Sequence, residues 1–150
     1  MHKRSGSSAE ARVLFLAPEA PYPVHGGGPL RSASLLEYLA CRFRVHAIVF
    51  RQPGDPDPAQ AVPAGRIEKL DVVELPYHSK HPLARAFRNS RRLIRNMPPL
   101  MDRFAGFEER IVALAGGYEF SFAVIEHFWC APYVEQLRPS GGQVRLRLSN

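Results

Sequence analysis

The residues best suited to chemistry lie in two short stretches, His25-Gly26-Gly27-Gly28 and Glu126-His127-Phe128-Trp129. Three consecutive glycines ahead of a helix leave bare backbone N–H groups at the positive end of a helix dipole, which is what an anion such as a diphosphate binds. The same glycines also suit a turn that simply needs positive φ, and both readings stand. His127 is the one histidine placed directly after a predicted core strand, beside a carboxylate and the only tryptophan. A histidine there can position a substrate group or move a proton, and it can equally cap the short helix that follows. Glu126 either orients it or is an ordinary loop carboxylate.

Two well-known phosphate fingerprints do not fit the glycines. A G-x-G-x-x-G pattern would start at Gly26 and reach Gly28, but its third position is Arg31. A Walker A loop ends in Gly-Lys-Ser/Thr, whereas this one ends in Gly28-Pro29-Leu30.

The elements that must position these residues follow from hydrophobic pattern. Val13-Leu14-Phe15-Leu16-Ala17 is an apolar run flanked by charge, as a strand buried on both faces requires. A Pro- and Gly-rich loop, Pro18 to Gly28, leads to a helix opening at Pro29, where a missing N–H costs nothing. Leu30, Ala33, Leu36 and Tyr38-Leu39 fall near helical spacing, so that face is expected to pack on the sheet. Arg44 to Phe50 is a second strand; Arg51 to Gly65 is an irregular crossover with at most a short helix; Lys69 to Leu75 is a third strand. Helices are expected from about Pro82 to Asn96 and from about Leu100 to Ala115, the second ended by Gly116-Gly117. Phe120 to Ile125 is a fourth strand, Ala131 to Leu137 a short helix, and Val144 to Leu148 a fifth strand. Strands alternating with helices predict an α/β fold, a doubly wound Rossmann-like parallel sheet of about five strands in the order 3-2-1-4-5. In such a sheet ligands bind beyond the carboxyl ends of the strands, at the switch point between strands one and four. The two chemistry-bearing stretches are therefore expected to face each other.

Composition sets the outer limits. With 150 residues, 45% of them hydrophobic, the chain can bury the core of one soluble domain. Residues 1–11 are polar, lack the apolar centre of a secretory signal and read as disordered, and the longest apolar run is far short of a membrane span. A cytoplasmic location is expected. Cys41 and Cys130, the only cysteines, have no metal-ligand spacing and read as packing residues, and no metal site is predicted. The net charge is +6, and Lys80, Arg85, Arg88, Arg91, Arg92 and Arg95 crowd into one segment threaded by Leu83, Phe87, Leu93, Ile94 and Met97 at helical spacing. Such a helix is either a solvated face or a surface for an anionic membrane, with Arg85, Arg88, Arg91, Arg92 and Arg95 as the membrane-binding residues. Nucleic acid is not an expected partner, because no aromatic strand platform, zinc spacing or helix-turn-helix accompanies the charge.

Taken together, Val13 to Pro18, Pro21-Tyr22-Pro23, the Gly26-Gly27-Gly28 loop, Arg31-Ser32 with Leu35-Leu36 and Leu39-Ala40, and Glu126-His127-Phe128-Trp129 followed by Ala131-Pro132-Tyr133 and Leu137-Arg138 resemble the amino-terminal signature of glycosyltransferase family 4. The likeness runs from Arg12 to Asn150 and is least specific in the basic helix. It implies a B-type glycosyltransferase, in which an amino-terminal Rossmann-like domain holds the acceptor and a carboxyl-terminal one holds a nucleotide-sugar donor. It further implies transfer with retained anomeric configuration, no cofactor and no metal, and a glycan or lipid-linked sugar acceptor, in cell-envelope or exopolysaccharide assembly by family habit. By the same likeness His127 is the catalytic residue, contacting the transferred sugar, and Gly26, Gly27, Gly28, Arg31 and Glu126 bind substrate.

Against that family the chain is expected to be incomplete. Residues 12–150 would form the acceptor-side domain without its last helices, and the donor domain with its E-x₇-E signature would have to come from another chain or frame. Val144-Arg145-Leu146-Arg147-Leu148 alternates in polarity, as an edge strand does, and Ser149 stands where family members commonly carry histidine. The expected function is the amino-terminal half of a retaining glycosyltransferase, inactive alone and peripheral at the inner face of a membrane. The alternatives are a standalone Rossmann-like module that binds a nucleotide or phosphate, in which Arg51 would meet a 2′-phosphate, and an inert gene remnant.

Overall fold

The computed structural model describes residues 11–63, 65, 67–77, 82–96, 98–137 and 143–147. The expected disorder of residues 1–11 falls almost wholly outside them, as does Ser149. Five parallel strands form one sheet: β1 (Arg12–Ala17), β2 (Arg44–Arg51), β3 (Lys69–Glu74), β4 (Phe122–Glu126) and β5 (Gln143–Arg147), in the order β3-β2-β1-β4-β5. This is the predicted doubly wound Rossmann-like α/β topology. β1 runs between β2 and β4 in matched register, with Leu16 opposite both Ile48 and Ile125.

The continuous apolar run of β1 has its cause in the layers around it. Successive side chains of a strand point to opposite faces, so a central strand covered on both sides needs apolar residues at every position. Val13, Phe15 and Ala17 join Val45, Ala47 and Val49 under α1 (Gly27–Ala40), packed by Ala33, Leu36 and Leu39. Leu14 and Leu16 join Ile48, Phe50, Val73 and Ile125 on the other face, covered by Phe104 of α4 (Pro99–Phe104), Ile111 of α5 (Glu108–Ala115) and Tyr133. Each fully buried Leu, Ile or Phe contributes about 1.5–3 kcal/mol. A short helix, α2 (Pro58–Ala61), interrupts the β2–β3 crossover, its first turn capped by Asp57 accepting from the Ala59 N–H at 3.0 Å. The basic helix is α3 (Pro82–Arg95).

Several expected boundaries move for local reasons. α1 opens at Gly27, two residues before Pro29, because Gly26 at φ 91° makes the entry turn. Its buried face is Ser32, Ala33, Leu36 and Leu39, whereas Leu30 and Tyr38, expected to pack on the sheet, are more than half exposed. The single helix expected over Leu100–Ala115 is two helices, broken at Gly106, which has φ 91°. β4 starts at Phe122 instead of Phe120, because Tyr118 and Phe120 turn in against the ring of His46, at 5.1 and 5.7 Å, before the strand begins. In place of a helix over Ala131–Leu137 there is a 3-10 helix, Phe128–Tyr133, since Pro132 has no N–H for an α-helical ladder. Cys130 is buried, as a packing residue should be, but Cys41 is exposed.

Candidate functional site

All five strands run the same way, so their carboxyl ends share one edge, and the chain reverses its direction of travel across the sheet between β1 and β4. Both chemistry-bearing stretches emerge there. The loop after β1 carries Glu19, His25 and Gly26, and α1 opens on Gly27 and Gly28; the turn after β4 carries His127.

A side-chain hydrogen bond ties these two segments. Ser32, in the second turn of α1, donates its hydroxyl to the Glu126 carboxylate at the end of β4. Ser32 is fully buried and Glu126 only 2% exposed. Glu126, predicted to bind substrate, is therefore turned inward to α1. The bond fixes the first turns of α1, and with them the glycines, against the turn that carries His127.

His127 sits at φ 61°, a conformation that a residue with a Cβ adopts only at a cost of roughly 1–3 kcal/mol. Its ring is half-buried and stacks on Trp129, with centroids 4.8 Å apart and planes 8° from parallel. Trp129 in turn lies parallel to Phe104 of α4 at 6.1 Å. Beneath this column Tyr133 donates its hydroxyl to the Phe104 carbonyl, and burial pushes that hydroxyl well above its ordinary pKa. Cys130, next to the column, is pushed up to about 12, chiefly by burial and further by Glu126, so its thiol is no nucleophile at neutral pH. The packing thus holds the imidazole in one place and leaves the chemistry to its polar atoms.

The glycines occupy different surroundings. A Cβ at Gly26 or Gly27 would enter open space, whereas one at Gly28 would run into Oε1 of the Glu19 carboxylate. The positive end of α1 therefore has a carboxylate of its own chain beside it, a favourable placement for negative charge. Gly27 and Arg31 line a shallow groove of about 460 Å³ on the outer flank of α1, with Leu30 and Tyr38. A second cleft of about 310 Å³ opens between the loops after β1 and β2. Glu19, His25, Arg51, Gln52 and Asp55 supply its polar lining, and Tyr22, Phe50 and several prolines its apolar surface. Convergent hydrogen-bonding groups over an apolar floor suit a polyhydroxylated ring. Arg51 pairs with Glu74 and lies 3.9 Å from Asp57, so the cation proposed for a 2′-phosphate already has two carboxylates.

Sequence reasoning missed Ser32, Glu19, Gln52 and Asp55. A polar residue in the otherwise apolar buried stripe of α1 was the available signal for Ser32. The placement of the Arg85, Arg88, Arg91, Arg92 and Arg95 side chains lies outside the described residues. Among the described residues no helix is long and apolar enough to cross a membrane, and no group of three His, Cys, Asp or Glu side chains is placed to hold a metal ion.

Comparison with protein-family models finds no match, and neither does comparison with curated proteins. Among solved structures, the chain is similar to the crystal structure of a UGT transferase from Siraitia grosvenorii in complex with UDP, with a TM-score of 0.46 and 16% identity. The likeness covers 90% of this chain and 27% of that one, so this chain spans about a quarter of its length.

Proposed function

We propose that this chain is the acceptor side of a retaining glycosyltransferase, working with a donor-binding domain that supplies the nucleotide-sugar. The observation that carries the proposal is the Ser32–Glu126 bond, which holds the glycine-rich start of α1 beside the turn of His127 at the switch point of the sheet. The resemblance of both stretches to glycosyltransferase family 4 supports the same assignment.

In this reading the cleft between the loops after β1 and β2 receives the acceptor sugar, with Glu19, His25, Gln52 and Asp55 meeting its hydroxyls. His127, held by Trp129, hydrogen-bonds a hydroxyl of the transferred sugar. It orients and does not attack. Stabilisation of charge that develops in the transition state is then a matter of preorganised donors, of which the backbone N–H groups of the first turn of α1, left without a side-chain cap, are this chain's share. The acceptor is a glycan or a lipid-linked sugar.

The test joins the chain to a donor domain from a family 4 glycosyltransferase and assays transfer from nucleotide-sugars, while the chain alone is titrated with NADP. Sugar transfer with retained configuration is the expected result. Binding of NADP by the chain alone, together with no transfer by the joined protein, would overturn the proposal in favour of a nucleotide-binding module.

A further inference from the structure

We propose that α3 is an interfacial helix that seats this protein on an anionic lipid surface. Four bulky apolar residues of this helix are almost fully exposed: Leu83 at 74%, Phe87 at 72%, Leu93 at 80% and Ile94 at 85%. Single exposed apolar residues are ordinary, but four on one fourteen-residue helix are a cluster and call for something to cover them.

The spacing shows what kind of surface fits. At about 100° per residue, Leu83, Phe87, Leu93 and Ile94 fall within an arc of about 120°. Positions 85, 88, 91, 92 and 95, all arginine, fall within a second arc of about 120° on the other side. No Asp or Glu occurs between Pro82 and Arg95, so the arginines have no carboxylate along their own helix to pair with. A solvated helix laced by ion pairs would need such acids. An apolar arc backed by a purely basic one matches a membrane boundary, where apolar side chains enter the acyl region and cations meet lipid phosphates. An acidic protein could answer one arc; an anionic bilayer answers both.

The position in the fold gives the contact a use. α3 follows β3, whose carboxyl end lies at the same sheet edge as the cleft between the loops after β1 and β2. A helix held at the bilayer keeps that edge close to ligands carried on lipid. This inference does not depend on sugar transfer, and its test measures binding alone.

The chain is sedimented with vesicles of phosphatidylcholine and with vesicles of phosphatidylcholine and phosphatidylglycerol in equal parts, at low and at high salt. Binding is expected only with phosphatidylglycerol, and weakens as salt rises. Phe87→Glu with Ile94→Glu should abolish it, and Phe87→Ser alone should weaken it. Each of Arg88→Ala and Arg91→Ala should lower affinity up to about fivefold. Circular dichroism and thermal unfolding of the Phe87 and Ile94 variants should match the parent, because both side chains are exposed. Equal binding to both vesicles, binding to neither, or retention by the Phe87→Glu/Ile94→Glu variant would each overturn the proposal. So would arginine-dependent binding to polyglutamate without binding to vesicles, which would make α3 a protein-facing surface.

Discussion

Ser32 and Glu126, ninety-four residues apart in sequence, form a buried hydroxyl–carboxylate bond that fastens α1 to the end of β4. Neither group has water to fall back on. Ser32→Ala should therefore cost about 1–3 kcal/mol, the penalty for a buried acceptor that loses its donor. Glu126→Gln keeps an oxygen for the serine and should cost less than Ser32→Ala. Urea unfolding of the three proteins checks the order; an unchanged midpoint for Ser32→Ala would show that the bond contributes nothing.

His127 combines a strained backbone with a stacked ring, and two substitutions separate them. His127→Ala keeps the positive φ and loses the contact with Trp129, so it should destabilise by about 1 kcal/mol. His127→Gly relieves the backbone and should be more stable than the alanine variant by about 1 kcal/mol. In the joined enzyme both should lose at least tenfold in turnover, because both lack the ring. His46→Ala, at the opposite edge of the sheet, should lower stability and leave the turnover of the folded fraction unchanged. Parental turnover by His127→Ala would remove the residue from the site.

The three glycines are not equivalent. Gly26→Ala forces a Cβ onto φ 91° and ψ −178°, a region essentially reserved for glycine, and should cost about 1–3 kcal/mol. Gly27→Ala enters open space at the first turn of α1 and should be neutral or slightly stabilising. Gly28→Ala meets the end of the Glu19 side chain, so Glu19→Ala should rescue whatever it costs. Thermal unfolding of the single and double variants measures each term, and a Gly28→Ala cost unchanged by Glu19→Ala would show that the carboxylate moves aside freely.

Acid should weaken the fold in two steps of the same sign. His46 is fully buried; burial holds its pKa below the ordinary 6.5, although Nε2 meets the Asp71 carboxylate at 2.6 Å. Its Nδ1 is buried with no hydrogen-bond partner among the described residues, and a proton there would be an unsatisfied donor. The unfolded chain therefore takes up the proton first, and the stability present above pH 6.5 is lost as pH falls toward the folded value. Burial alone would raise the Asp71 carboxyl, but hydrogen bonds from Lys69 and His46 carry it below the ordinary 3.8. Its contribution is present above that value and is lost as pH falls further. Urea midpoints from about pH 8 to pH 2 should fall in both steps, and His46→Gln should flatten the first.

The sheet order was legible because the central strands β1 and β4 are continuous apolar runs, β2 and β3 are apolar stretches with one polar residue each inside, and helices separate most of the strands. What failed to show was local. Gly106 divides a helix that its apolar periodicity presents as one, and Pro132 turns an expected α-helix into a 3-10 helix. At the switch point, histidine and glycines stand out by type and position, but nothing in the sequence around Glu126 shows which group its carboxylate meets. That partner, Ser32, lies on another element, and only the parallel pairing of β1 with β4 brings the two within reach. Charge spacing located the basic helix, while the exposure of Leu83, Phe87, Leu93 and Ile94 depends on what α3 packs against, which spacing does not contain.

Trp129 is the only tryptophan in the chain, and its indole lies face to face with the imidazole of His127. The protein therefore carries an optical reporter stacked on that ring. A ligand that displaces the ring should shift the indole emission. Occupancy of this edge of the sheet can thus be followed in unlabelled protein by ultraviolet light alone.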